Sequence, residues 1–151
     1  MPKRIVYIMI FCMLKGVVLF SQNTSCIKFN PSFGESKLVI DSTYQLNTTD
    51  SIQITALRFY ISNIELMHQN KSVWKEAVQF HLMDAFNEKT LSVNIPSNIS
   101  YTKLKFNLGI DSTTNVSGAL GGDLDPTKGM YWTWQSGYIN FKLEGTSNIC
   151  K

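Results

Sequence analysis

Residues 103–110 read KLKFNLGI, a stretch in which apolar and polar side chains alternate. Successive side chains of a β-strand point to opposite faces, so Leu104, Phe106 and Leu108 would line one face of a sheet. The lysines and Asn107 would line the other face. A period of two is typical of a strand with one buried and one solvated face, and it favours an antiparallel sheet.

The same alternation recurs along the chain. It is found at residues 27–29, 78–82, 91–95 and 139–143. Between residues 52 and 67 the apolar phase changes twice, which predicts either a long strand with a kink or two strands that change sheet. Short strands at this spacing, joined by turn-rich segments and without a sustained helical period, predict an all-β fold, namely an antiparallel β-sandwich.

The N-terminus has the pattern of a secretory signal peptide, which we assign to residues 1–21. Basic Lys3 and Arg4 precede an apolar stretch over residues 5–20, and Ser21 offers a cleavage point. The alternative is a transmembrane anchor, but the stretch is shorter than the roughly 20 apolar residues that a span needs and contains a lysine. We expect a periplasmic or cell-surface protein without an anchor in the mature chain.

The mature chain, residues 22–151, is expected to be one domain without net charge. Of 14 basic residues three belong to the signal peptide, which leaves 14 − 3 = 11 against 11 acidic ones. A chain without a basic run does not suit nucleic-acid binding. Cys26 and Cys150 could form a disulfide in an oxidising compartment. Alternatively they are unrelated thiols, or Cys26 carries a lipid.

Residues 111–130 lack a strand pattern and are rich in glycine, and loops of this length are often functional. The loop leads into Trp132 and Trp134, which in an extended chain would lie on one face roughly 7 Å apart. Burial in the core is the interpretation that physical chemistry alone favours, because each indole buries a large area. The alternative is that the two indoles border a binding site.

Few other residues are candidates for metal binding or catalysis. His81 and Met130 could ligate a soft metal such as Cu(I), although a lone histidine is more often a surface residue and methionine more often fills core gaps. Asp123 and Asp125 could bind Ca²⁺, but a solvated turn is the simpler interpretation because no EF-hand pattern is present. Nucleophile and phosphate-loop motifs are missing, so we do not expect an enzyme.

Four segments resemble a known family. They are MYWTWQSGY at residues 130–138, FKLEG at 141–145, LRFYISNI at 57–64 and FNLGID at 106–111. The first is the most specific, and together they resemble the MbnP-like proteins. These are periplasmic copper-binding proteins that in some bacteria are associated with methanobactin.

The resemblance implies a secreted β-sandwich that handles copper. Some relatives bind Cu(I) through histidines and a tryptophan that a di-haem partner of the peroxidase type oxidises to kynurenine. Carried over, Trp132 or Trp134 would be the modified residue and His81 a ligand. Members of the family usually continue beyond the FKLEG segment with a further histidine. The resemblance therefore implies a truncated member, a sandwich incomplete at its C-terminus and a missing copper ligand.

Two functions of different class are consistent with the sequence. The first is copper binding beside the tryptophans, and the second is a structural or interaction module whose long loop contacts a partner. A calcium-stabilised loop is a weaker third hypothesis.

Overall fold

The computed structural model describes residues 24–77, 79–134 and 137–149. The predicted signal peptide and Cys150, and with it the predicted disulfide to Cys26, involve residues outside these ranges. Within them, the strands are β1 (Thr24–Lys28), β2 (Ser32–Phe33), β3 (Ser36–Lys37), β4 (Thr43–Gln45), β5 (Ser51–His68), β6 (Lys71–Lys75), β7 (Phe80–Asp84), β8 (Ser92–Pro96), β9 (Lys103–Leu108), β10 (Tyr131–Trp132), β11 (Gly137–Tyr138) and β12 (Phe141–Ser147). Helix α1 spans Ser112–Val116, and 3-10 turns span Glu88–Thr90, Gly122–Leu124 and Pro126–Lys128.

The 18-residue strand β5 is the centre of the fold, because five strands pair with it, all antiparallel. The registers place β4, β7 and β6 end to end along one side of β5. Along its other side lie β12 and then β9. A separate antiparallel ladder joins β1 to β8.

Two irregularities in β5 explain its changes of apolar phase. Between Glu144 and Gly145 the register of β12 on β5 shifts, which leaves Thr55 as an extra residue. A second shift, against β9, lies between Ser62 and Glu65, where Asn63 has a positive φ of 54°. Each shift moves the following side chains to the opposite face. The predicted kinked strand is confirmed, and it stays within one sheet.

The β5 sheet packs on the β1–β8 ladder through one face, which makes the predicted all-β, antiparallel sandwich correct. The core between the two layers, which we call the inter-sheet cluster, comprises Ile61, Ile64, Met83, Leu91 and Val93. Residues that alternate with these face the other side, where the long loop covers them. This second core, the loop cluster, comprises Tyr60, Leu82, Leu124, Met130 and Tyr138.

Strand β9 forms as predicted, but its apolar face is not buried. Leu104, Phe106 and Leu108 are 36%, 40% and 62% exposed. The ring of Phe29 packs edge-on against Phe106, with a distance of 5.8 Å between the ring centroids. The reason is the width of the second layer: the ladder contributes two strands, and it covers β5 and β7 rather than β9.

Among the described residues, no helix has the length and hydropathy needed to cross a bilayer.

Candidate functional site at the tryptophan hairpin

The two tryptophans of the sequence motif lie on a short hairpin formed by β10 and β11. Tyr131 pairs with Tyr138 and Trp132 with Gly137. The ring centroids of Trp132 and Trp134 are 4.6 Å apart, with the ring planes inclined by 56°. Their exposed fractions are 41% and 73%. We call these two side chains the indole pair.

The expectation that both tryptophans fill the core was wrong. Their neighbours fill it instead: Met130 is 0% and Tyr138 6% exposed, and Tyr131 packs against the same loop cluster. Because Tyr131 and Tyr138 are paired in register, their rings meet at a centroid distance of 4.8 Å and leave the indoles outside. Exposure of two adjacent tryptophans forgoes a large burial energy, which marks the hairpin as a candidate binding surface.

Tyr138 anchors the hairpin to the long loop. Its hydroxyl accepts a hydrogen bond from the backbone N–H of Leu120 at 2.8 Å, and its own N–H donates to Asn115 Oδ1 at 2.6 Å. Its ring packs edge-on against Tyr60 of β5. Helix α1, which carries Asn115, is therefore bonded to the hairpin. The backbone beneath the indole pair is thus held by the long loop and by strand β5.

Asp123 fixes the loop to the sheet. Its Oδ2 accepts a hydrogen bond from the backbone N–H of Leu82 at 3.0 Å, and its Oδ1 accepts one from Lys128 Nζ at 2.6 Å. The hydroxyl of Tyr60 donates to the carbonyl of Asp123 at 3.1 Å. Burial, reinforced by Tyr138 and Asp123, raises the pKa of Tyr60, so this hydroxyl keeps its proton and remains a donor.

Arg58 of β5 also links the loop to the sheet. No sequence pattern predicted these contacts of Arg58. Its Nε donates to Asp84 Oδ2 at 2.9 Å, while Nη1 donates to the carbonyl of Lys128 at 3.2 Å. The pairing of Arg58 with Asp84 follows from their cross-strand register, which only the fold reveals. The charged side chains beside this part of the loop thus form ion pairs, Arg58 with Asp84 and Lys128 with Asp123.

His81 lies away from the indole pair. It pairs with Ile61, so its side chain shares the face of the inter-sheet cluster, as expected from the opposite orientation of Leu82. Its Nε2 lies 3.0 Å from both carboxylate oxygens of Glu76. Met130 belongs to the loop cluster on the other face, so the sheet separates the imidazole from the thioether.

The predicted metal residues therefore do not assemble into one site. No group of three or more His, Cys, Asp or Glu side chains that could hold a metal occurs within residues 24–77, 79–134 and 137–149. Both aspartates of the loop already accept hydrogen bonds. Asp123 accepts them from Leu82 and Lys128. Oδ1 of Asp125 accepts them from the N–H and the hydroxyl of Thr127. What remains accessible is the pair of electron-rich indole faces, which can contact a cation or an apolar ligand.

Acid is expected to loosen the loop that carries the hairpin. Hydrogen bonds from Thr114 lower the pKa of Asp111, and those from Thr127 lower the pKa of Asp125. A carboxylate whose pKa is depressed by folding stabilises the fold above the unfolded value, near 3.8 for Asp, and this contribution is lost as the pH falls further. Indole fluorescence followed from pH 6 to pH 2 measures the change.

Asp111→Asn is the matched control for the acid response, because asparagine also caps helices but does not titrate. We expect the variant to lose less stability than the parent chain between pH 4 and pH 2. Superimposable pH profiles of the two proteins would contradict a contribution from Asp111.

Among known protein families, the model described as MbnP matches residues 22–150. No curated protein and no solved structure shows significant similarity to the chain.

Proposed function

The chain belongs to the MbnP family, and on that premise we propose that it acts outside the cytoplasm in the handling of copper, with the indole pair as its contact surface. The observation that carries the proposal is the exposure of Trp132 and Trp134, at 41% and 73%, on an otherwise anchored hairpin. Family membership supports a role in copper handling outside the cytoplasm. The exposure of the indole pair supports its choice as the contact surface.

The donors present fit only part of a copper site. Cu(I) prefers sulfur and imidazole ligands. Met130 is fully buried, and the Nε2 of His81 is hydrogen-bonded to Glu76 on the opposite face of the sheet. The indole faces can contribute cation–π contact, worth about 0.5–2 kcal/mol, which is too little to hold an ion alone.

We therefore propose that the pair contacts Cu(I) whose nitrogen and sulfur donors come from a chelating molecule. Two tilted rings 4.6 Å apart offer an apolar surface against which such a chelate can pack. The protein's own contribution is to position the indoles. The bond of Tyr138 to the loop and the bond of Asp123 to strand β7 achieve this. No catalytic role is proposed for the chain.

Equilibrium dialysis tests this function. The purified mature protein is dialysed anaerobically against Cu(I) alone and against Cu(I)-loaded methanobactin, and retained copper is measured. We expect saturable retention from the loaded chelator, up to one ion per chain. Absence of retained copper in the experiment with the loaded chelator would overturn the proposal.

Oxidation of one indole by a di-haem partner of the peroxidase type is a further part of the proposal. The exposure of Trp134, at 73%, supports access by another protein. Mass spectrometry of the peptide that carries the pair, from protein purified from its native source, would detect the modification. An unmodified peptide in copper-replete cells that express the partner would count against it.

An interaction module without metal is the second candidate function, and the exposed indole pair supports it as well. The two candidates differ in one result. Copper should not change the environment of the indoles if they serve only as a contact surface for a protein.

A further inference from the structure

A cleft of about 340 Å³ lies between the long loop and the β5 sheet, and the indole pair does not line it. The sheet contributes Arg58 of β5 and Asp84 of β7, which are cross-strand partners. The loop contributes Asp123 and Lys128, and the turn after β7 contributes Asn87. A volume of this size is within the range of pockets that bind small molecules.

The carboxylates of the cleft already accept hydrogen bonds from the protein. Oδ2 of Asp84 accepts one from Arg58, and Oδ1 accepts one from the N–H of Phe86 at 3.0 Å. Asp123 likewise accepts a bond at each of its two oxygens. A ligand that donates hydrogen bonds would therefore share these oxygens with donors that the fold already supplies.

The cleft has more hydrogen-bond donors than its own acceptors use. Arg58 donates through Nε and Nη1, and its Nη2 has no partner among the described residues. Lys128 Nζ carries three N–H groups and donates one, to Asp123. Asn87 accepts a bond at Oδ1, while its Nδ2 donates to no residue that the structure describes. The spare capacity is that of a donor, which suits an oxyanion.

We infer that the cleft binds a small molecule through a carboxylate group. Arg58 and Lys128 are the charged donors, and the amide of Asn87 is the neutral one. A guanidinium group binds a carboxylate through two parallel N–H···O bonds, for which its planar geometry is suited. The two cations and two acids of the cleft sum to no net charge, so a singly charged carboxylate is favoured over the higher charge of phosphate.

Binding at this cleft is weak and specific for charge. The side chains of Arg58 and Lys128 are 30% and 39% exposed, so solvent screens part of their attraction for an anion. Hydrogen bonds between ionised groups are nevertheless about twice as strong as those between neutral groups. The charge of the ligand, more than its shape, therefore determines the affinity.

Titration of the isotope-labelled mature protein with butyrate, followed by two-dimensional NMR, tests the inference. We expect saturable shifts of the backbone N–H signals of Leu82, Asn87 and Gly129, which line the cleft. Butyramide has nearly the same shape but no charge, and it should bind at least about tenfold more weakly. Inorganic phosphate distinguishes a carboxylate site from a site for any oxyanion, and it should bind more weakly than butyrate.

Two variants remove spare donors and leave the guanidinium in place. Lys128→Gln should weaken butyrate binding by about tenfold, and Asn87→Ala should weaken it by a smaller factor, because its bond is neutral. Lys105→Gln is the matched control, since Lys105 forms an ion pair with Glu65 and does not line the cleft. It should bind butyrate like the parent chain. Circular dichroism of each variant reports its folding.

Four results would overturn the inference. They are the absence of saturable shifts, equal binding of butyrate and butyramide, phosphate binding as tight as that of butyrate, and butyrate binding that neither Lys128→Gln nor Asn87→Ala weakens. Because the indole pair takes no part in the cleft, none of these results bears on copper.

Discussion

Replacing Met130 by alanine is expected to lower the free energy of unfolding by about 2–5 kcal/mol. Met130 is 0% exposed and packs in the loop cluster with Tyr60, Leu82 and Tyr138. The substitution removes buried methylene groups and leaves a cavity where the loop meets the sheet. Urea unfolding at 25 °C, followed by circular dichroism, measures the loss.

A matched control for this variant is Val116→Ala. Val116 is 78% exposed at the end of α1, so its truncation should change stability by no more than about 0.5 kcal/mol. Met130→Leu conserves most of the buried volume and should cost less than about 1.5 kcal/mol. Equal losses for Met130→Ala and Val116→Ala would show that the loop cluster is not a core.

Replacing Gly145 by alanine is expected to lower the free energy of unfolding by about 1–3 kcal/mol or more. A Cβ built on Gly145 would lie 2.3 Å from the backbone carbonyl oxygen of Gln53. That oxygen belongs to β5, the strand on which the whole sheet is built, and backbone there cannot shift without breaking the ladder. The cost arises from close approach of two backbones at the bulge, since no positive φ is involved.

Gly121→Ala is the control for this second variant. A Cβ at Gly121 meets no atom within 4 Å, and its φ of −99° suits any residue. Alanine there should be neutral or slightly stabilising, because it reduces the entropy of the unfolded chain. Thermal unfolding of the two variants side by side would reveal the difference, and comparable melting temperatures would contradict the close backbone approach at the bulge.

The strands were predictable from the sequence because their signal is local. Alternation at residues 103–110 and the phase changes in residues 52–67 follow from the geometry of a single strand, and both predictions were confirmed. Burial was less predictable. The apolar face of β9 is exposed because the facing layer is narrow, which depends on strands far away in the sequence.

The sequence drew attention to the tryptophan hairpin but did not predict the contacts that hold it. The glycine-rich loop and the two indoles pointed to the segment that the structure shows as an exposed hairpin. Composition could not show that Tyr138 and Met130 fill the core in place of the indoles, because tyrosine, methionine and tryptophan all suit a core. Nor could it show that the sheet separates His81 from Met130, since that follows from the pairing of His81 with Ile61.

Two phenylalanine substitutions in the indole pair test the central claim most directly. Trp132→Phe with Trp134→Phe, dialysed anaerobically against copper-loaded methanobactin, should retain copper at least about tenfold more weakly, because phenylalanine offers a poorer π-face and less contact area. Trp74→Phe is the control, since Trp74 packs on the inter-sheet cluster, and it should bind like the parent chain. Undiminished binding by the double variant would contradict a role for the indole pair in copper handling.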